Sequence, residues 1–286
     1  MPHSLSQTIK PHQTQLVGQG LRGVKNTIAI ASGKGGVGKS TLTINLAAAL
    51  VKLGARVGIL DADIYGPSIP LMMGGEFAVE IHHERYQPVM KHNIQTMSMG
   101  YLTQGSPALI WRGPMLAKSL IQMLDLTLWD NLDYLLIDLP PGTGDIQLSL
   151  VQKIPLAGSI VITTPQTIAT ADADKALKMF QTTNIHILGL VENMSHYVCP
   201  KCDHHDSLFG HGGAAELAAQ YDCPILGTLP LNRQIGDDCE QGIPTASKDN
   251  DPLSDLFLSI ATNTHHVLSQ RPLNYANRFP PIVVAP

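Results

Sequence analysis

Charge is scarce in this 286-residue sequence. Asp, Glu, Lys and Arg make up 15% of it, against about 25% in an average soluble protein. A share this small implies much buried backbone, or surface reserved for a partner. A basic excess is also absent: 19 Lys and Arg stand against 23 Asp and Glu, for a formal net charge of −4. The chain therefore has no electrostatic footprint for DNA or RNA, which needs a basic face. Cysteines number only four, too few in so long a chain for a disulfide scaffold. No apolar run reaches the roughly 18 residues that span a bilayer. Met1 to Lys10 lacks the apolar stretch of a secretory signal. These absences leave a cytoplasmic protein as the expectation, with no nucleic-acid partner and no membrane partner.

What is present reads as one globular unit. Hydrophobic residues reach 44%, and 25 Gly with 20 Pro exclude collagen-like or low-complexity classes. Residues 1–24 are polar and without period, and read as a flexible arm. From Asn26 onward short β-rich apolar runs alternate with longer helical stretches. The runs are Thr27–Ala31, Val57–Leu60, Tyr134–Ile137, Ser159–Thr163, Ile187–Val191 and Ile225–Leu229. Helices are expected over Ser40–Leu53, Pro114–Leu124, Ile146–Ile154, Ala169–Thr182, Ala214–Gln220 and Leu253–Leu268, with Gly54 as a C-terminal cap. Near-continuous apolar strands between helices predict an α/β fold: a mostly parallel twisted sheet with helices on both faces. Residues 76–101 are less regular and read as a hairpin excursion. Residues 271–286 hold four prolines and read as an irregular tail, leaving 25–270 as the single domain.

The strongest signal is Gly33-Lys34-Gly35-Gly36-Val37-Gly38-Lys39-Ser40, which matches G-x-x-x-x-G-K-[ST] between a strand and a helix. Glycines let successive backbone N–H groups turn onto phosphate oxygens. The helix that follows presents its positive end to the same anion. Lys39 supplies a charge to the β and γ phosphates, and Ser40 a hydroxyl to Mg²⁺. Lys34 is an additional lysine at the loop tip. It can reach phosphates of its own site or of a facing one, or it can be a solvated surface lysine; sequence physics leaves these open.

Carboxylates sit where such a site needs them. The strand Val57–Leu60 runs into Asp61-Ala62-Asp63, at the edge where ligands bind in parallel sheets. An N-cap role for one of the two acids is the bland alternative. Tyr134–Ile137 runs into Asp138, the apolar-run-plus-acid pattern that holds Mg²⁺ in P-loop NTPases. Pro140-Pro141-Gly142-Thr143-Gly144-Asp145 follows, with rigid prolines beside mobile glycines as in a segment that senses the γ-phosphate.

Cys199-Pro200-Lys201-Cys202 lies in a polar loop with His204 and His205. Three readings are open: a redox pair, which lacks the βαβ context it wants; half a zinc site completed by His204, His205 or Cys223; or iron–sulfur ligation, which commonly takes four cysteines. Two chains about a two-fold axis would supply four. Cys223 reads as a small buried residue, and Cys239 has no ligand partner among its acidic neighbours. Most of His82, His83, His92, His204, His205 and His211 read as surface histidines.

Together these motifs resemble a family. Ala31 to Ser40 is similar to the deviant phosphate loop of the MinD/ParA/nitrogenase iron-protein superfamily. Asp61 to Ser68, Asp138 to Asp145, and Glu192-Asn193-Met194-Ser195 with the CPKC resemble the Mrp/ApbC iron–sulfur cluster carriers. The match runs from about Leu21 to Leu268. It implies a slow ATPase that acts as a homodimer, holds a [4Fe–4S] cluster between its subunits, takes it from a cluster donor and passes it to apo-proteins. Residue by residue it implies that Lys34 reaches the partner's nucleotide. Gly33 to Thr41, with Lys39 and Ser40 among them, would bind phosphate and Mg²⁺. Asp63 would orient the attacking water, Asp138 would hold Mg²⁺, Asn193 would read the adenine edge, and Cys199 and Cys202 would be the cluster ligands. The arm before Leu21 is too short for the extra N-terminal domain of many bacterial members. Two alternatives stand beside this reading. A MinD/ParA-type positioning ATPase wants an amphipathic membrane helix or a basic surface. A zinc-stabilised metabolic ATPase is the other.

Overall fold

The computed structural model describes residues 9–64, 66–75, 77–102 and 113–274. Residues 1–8, Tyr65, Glu76 and 275–286, which fall in the arm, the Asp61–Ser68 motif, the irregular region and the tail, lie outside the described residues. In chain order the elements are β1 (Val24–Ser32), α1 (Lys39–Lys52), β2 (Val57–Asp61), α2 (Ile69–Met72), β3 (Ile81–His82), β4 (Arg85–Tyr86), β5 (Val89–Lys91), β6 (Ile94–Ser98), α3 (Met99–Leu102) and α4 (Gly113–Leu126). Then come β7 (Leu132–Asp138), α5 (Asp145–Lys153), β8 (Gly158–Thr163), α6 (Thr167–Thr182), β9 (Ile187–Glu192), β10 (Tyr197–Val198), β11 (His205–Asp206), α7 (Gly213–Gln220), β12 (Ile225–Thr228), α8 (Arg233–Glu240) and α9 (Pro252–Ser269).

Eight strands form one sheet in the order β12-β9-β8-β1-β7-β2-β6-β5. Every neighbouring pair is parallel except β5 with β6. Side chains alternate across a strand, and β1 divides its residues accordingly. Ile28 and Ile30 face a core with Leu46, Leu50, Phe257 and Ile260 of α1 and α9. Ala29 and Ala31 face the opposite core, with Leu120, Leu150 and Phe180 of α4, α5 and α6. Two covered faces explain why the strands read as unbroken apolar runs rather than alternating ones. Phe180 is fully buried, so Phe180→Ala would cost about 3–5 kcal/mol.

Helix α1 shows how local sequence sets the frame. It starts directly after Gly38 and ends in a glycine cap: Gly54 N–H donates to Val51 O (2.8 Å) and Ala55 N–H to Leu50 O (3.0 Å). Gly54 has φ +90°, which a side chain would resist. Helix α9 starts on Asp251, whose side chain accepts from Leu253 N–H, with Pro252 in its first turn.

Two regions differ from the sequence expectation. The irregular stretch does contain hairpins, β3–β4 and β5–β6, but Ile94–Ser98 is also a fully buried parallel strand of the main sheet. The expected flexible arm is instead tied down from Ile9 onward. His12 bridges antiparallel to Leu273, and its N–H donates to Asn26 Oδ1 at 3.0 Å. Gln15 Nε2 donates to the carbonyls of Val151 and Ile154, while Leu156 N–H donates to Gln15 Oε1. Such side-chain-to-backbone bonds follow no period, so a periodicity reading passes over them. Among the described residues no helix is long and apolar enough to cross a membrane.

Candidate nucleotide site and cysteine hairpin

Strands β1, β2, β7 and β9 deliver the marked residues to one edge of the sheet, the C-terminal edge where ligands bind in parallel folds. From β1 comes the loop of Gly33 to Ser40. Gly38 has φ +92°, a conformation in which a side chain is strained, and the Asn193 amide fills the space where a Cβ would lie. Beside Gly35 and Gly36 lies open space. A cavity of about 220 Å³ opens there, lined by Lys34, Gly36, Lys39, Ser40, Thr41 and Asp63 among others.

Lys39 is buried, and its Nζ lies 3.0 Å from Asp138 Oδ1. The pair is Coulombic; the ammonium has no well-directed hydrogen bond. A buried ammonium with donors to spare at the base of a glycine cradle fits phosphate oxygens. Asp138 is held from two more sides. Ser40 Oγ donates to its Oδ2 at 2.6 Å, and Thr43 Oγ1 to its Oδ1 at 2.8 Å. Ser40 and Asp138 thus place a hydroxyl and a carboxylate together, the hard oxygen ligands that suit Mg²⁺.

The Asp61-Ala62-Asp63 pair divides its roles. Asp61 is fully buried, accepting from Ser98 Oγ (2.9 Å) and from the N–H of Asp63 (3.1 Å). Burial first, and then the nearby Asp138 charge, push its carboxyl up to about 8. Asp63 is more exposed and lines the cavity. Asp61 thus supports the turn that presents Asp63, in place of the alternative helix N-cap role for one of the two acids. Behind the loop, Gly142 N–H donates to Ser32 O at 3.1 Å, tying the Pro140–Asp145 segment to it.

Lys34 extends from the loop tip to Gln166 Oε1, 3.5 Å away at the start of α6. Asn193, expected on the adenine edge, donates its Nδ2 to Val37 O at 2.9 Å and so braces the phosphate loop itself. Sequence reasoning missed Thr43 and Gln166. Thr43 was within reach, being one helical turn beyond Ser40 on the same face of α1.

The cysteines sit on the β10–β11 hairpin. Cys199 is half-buried and Cys202 exposed. Cys199 N–H donates to His204 O, and Asp203 N–H returns to Cys199 O, closing a tight turn around the pair. The backbone N–H of Lys201, then the Cys202 thiol and its backbone N–H, hold the Cys199 thiol below its ordinary value. Among the described residues no three His, Cys, Asp or Glu side chains converge as metal ligands. His204 and His205 are exposed, and the His205 ring stacks on His196. Elsewhere Cys223 is half-buried, its thiol pushed up to about 11 by burial, and Cys239 is buried against α1, 4.0 Å from Asn45 Nδ2.

The sequence of this chain matches known proteins along most of its length. It is 48% identical to an iron–sulfur cluster carrier protein of Pseudomonas fragi over 90% of this chain and 91% of that one. It is 53% identical to an iron–sulfur cluster carrier protein of Escherichia coli K12 over 79% of this chain, and spans 62% of that relative's length. A solved nucleotide-binding protein of Archaeoglobus fulgidus, in complex with ADP, superposes with a TM-score of 0.70 at 37% identity, covering 81% of this chain and 90% of that one. The family model of ParA-type NUBPL iron-transfer P-loop NTPases matches residues 23–265. The chain belongs to that family.

Proposed function

We propose that this chain is an ATP-dependent carrier of [4Fe–4S] clusters that works as a homodimer. The observation that carries the reading is the Cys199–Cys202 pair: two accessible thiols on a hairpin, with no third ligand converging on them among the described residues. A cluster commonly takes four thiolates, and a second copy about a two-fold axis supplies the missing two. The depressed Cys199 thiol favours the thiolate, the form that ligates metal. A zinc site within one chain is less well supported, because His204 and His205 do not converge with the cysteines. The names of the two carrier relatives, the one from Pseudomonas fragi matching along nearly its whole length, agree with this reading.

At the nucleotide site the loop N–H groups and Lys39 bind the phosphates of ATP. Ser40 and Asp138 would hold Mg²⁺, which would supply positive charge against the phosphate oxygens. Asp63 orients the attacking water. Lys34 acts on the nucleotide of the partner copy, so hydrolysis waits on dimer formation and stays slow. A cluster donor and apo-protein clients follow from the carrier role, and free thiols on a surface hairpin suit the reducing cytoplasm.

Anaerobic reconstitution followed by metal analysis and transfer tests this reading. The expected product holds about four irons and four sulfides per two chains and passes them to an apo-ferredoxin. One zinc per chain without acid-labile sulfide would overturn it.

A further inference from the structure

The cysteine hairpin is held to the body at its base. Among the described residues, every hydrogen bond of residues 197–211 stays inside that segment: the β10–β11 pairs, the Cys199 turn and Gly210 N–H to Ser207 O. Attachment falls to the two ends. On the entering side Asn193 N–H donates to Thr163 O and Ser195 N–H to Leu229 O, while Leu231 N–H donates to His196 O. On the leaving side the chain re-enters through α7, where Ala214 N–H donates to Glu192 Oε2 at 3.0 Å.

Glu192 and Asn193 are neighbours, and their side chains hold different things. Asn193 grips Val37 O in the phosphate loop. Glu192, buried at the end of β9, grips the first turn of α7. Its negative charge lies at the positive end of that helix, with orphan backbone donors around it. The eighteen residues between Asn193 and Gly212 thus form a closed excursion whose two feet are set side by side. The phosphate loop, through Val37 and Asn193, and the far foot, through Glu192 and Ala214, are thus held by two adjacent residues. Gly213 leaves no slack there, since a Cβ on it would collide with Thr170 and press on Pro165 O, the residue before Gln166.

We propose that Glu192 is a positioning residue that closes the base of the cysteine hairpin and, with Asn193, makes the setting of Cys199 and Cys202 depend on nucleotide. This rests on the ATP-dependent carrier reading. Its readout is separate from cluster formation.

The test measures alkylation rates of each cysteine in the cluster-free full chain by mass spectrometry, with and without Mg²⁺ and a non-hydrolysable ATP analogue. In the wild type, nucleotide should change the rates at Cys199 and Cys202 about fivefold or more, in the range of ordinary coupling between sites. The rate at Cys223, which lies apart from both the hairpin and the phosphate loop, should hold steady. Glu192→Gln keeps an acceptor for Ala214 N–H and should preserve the response. Glu192→Met keeps the length without the acceptor and should bring the ratio near one while analogue affinity holds. If Glu192→Met does not fold, Ala214→Pro deletes the same bond from the donor side, in a helical first turn that tolerates proline, and should behave alike. A full nucleotide response in Glu192→Met or Ala214→Pro overturns the assignment, as does a wild type with none. A response without cluster formation would instead sink the carrier reading and leave Glu192 in its role.

Discussion

Ser40 Oγ donates to Asp138 Oδ2 at 2.6 Å, joining residues 98 positions apart. The bond ties the start of α1 to the end of β7. With Thr43 and Lys39 on the other oxygen, the Asp138 carboxylate is fixed from three directions. The magnesium site proposed for Ser40 and Asp138 would therefore need little rearrangement when nucleotide arrives, which is where preorganised electrostatics gain their advantage.

Lys39→Ala removes the buried ammonium that faces the phosphate cradle. Phosphate release should fall by about 100-fold or more, the scale for losing one preorganised charge at a transition state. A malachite-green assay at saturating ATP checks this, and near wild-type turnover would mean the loop has another role.

Thr43→Val keeps the shape of a buried side chain and deletes a donor to a buried carboxylate. The loss should be about 1.5–3 kcal/mol, the range for hydrogen bonds to charged groups. Urea unfolding of the nucleotide-free chain measures it.

Lys34 and Asp63 line one cavity but are proposed to serve different active sites of the dimer. Lys34→Ala and Asp63→Ala chains should each be inactive alone. Mixed in one dimer, they leave one site lacking both groups and one site intact, so part of the activity should return. Verified mixed dimers with no recovery would place both residues in the same site.

Cys199→Ala and Cys202→Ala should each lose stable cluster binding, read by iron and acid-labile sulfide after gel filtration. Cys223→Ala and Cys239→Ala should retain it, since those thiols lie apart from the hairpin and one is buried.

His12 predicts a pH effect at the opposite end of the sheet. Burial first, then Arg271 and Lys10, push its imidazole below the ordinary 6.5, with the Asn26 hydrogen bond opposing. A folded value below the unfolded one means the folded chain resists protonation. The stability tied to neutral His12 is present above 6.5 and is lost as pH falls through and below it. The thermal midpoint should drop between about pH 7.5 and pH 5.5. His12→Gln should make that drop smaller.

Much of this architecture could be read from residue order. Strands buried on both faces announce themselves as runs of Val, Ile and Leu, and the phosphate loop carries its own spacing. The strand Ile94–Ser98 did not, because Gln95, Thr96 and Ser98 are buried polar residues satisfied by Asp130, Tyr101 and Asp61. Helix Arg233–Glu240 was equally hidden; it is mostly polar, and its few buried residues include Asp238. At the site, the meeting of Lys39, Ser40 and Asp138 could be anticipated from motif alone. The grip of Asn193 on Val37 spans 156 positions, and the strap at His12 depends on Asn26 and Leu273. Such links depend on how the chain is wound, and local pattern does not encode them.

The sheet is closed off at both margins by very short strands. β5 has three residues, ending in Lys91, and β12 has four. Neither offers a long row of unpaired backbone groups, and a lysine at such a margin discourages further strand addition. Association of two copies by β-augmentation is thereby disfavoured. The homodimer proposed above would therefore meet through the loop-bearing end of the sheet, with Lys34 and the paired thiols, rather than edge to edge.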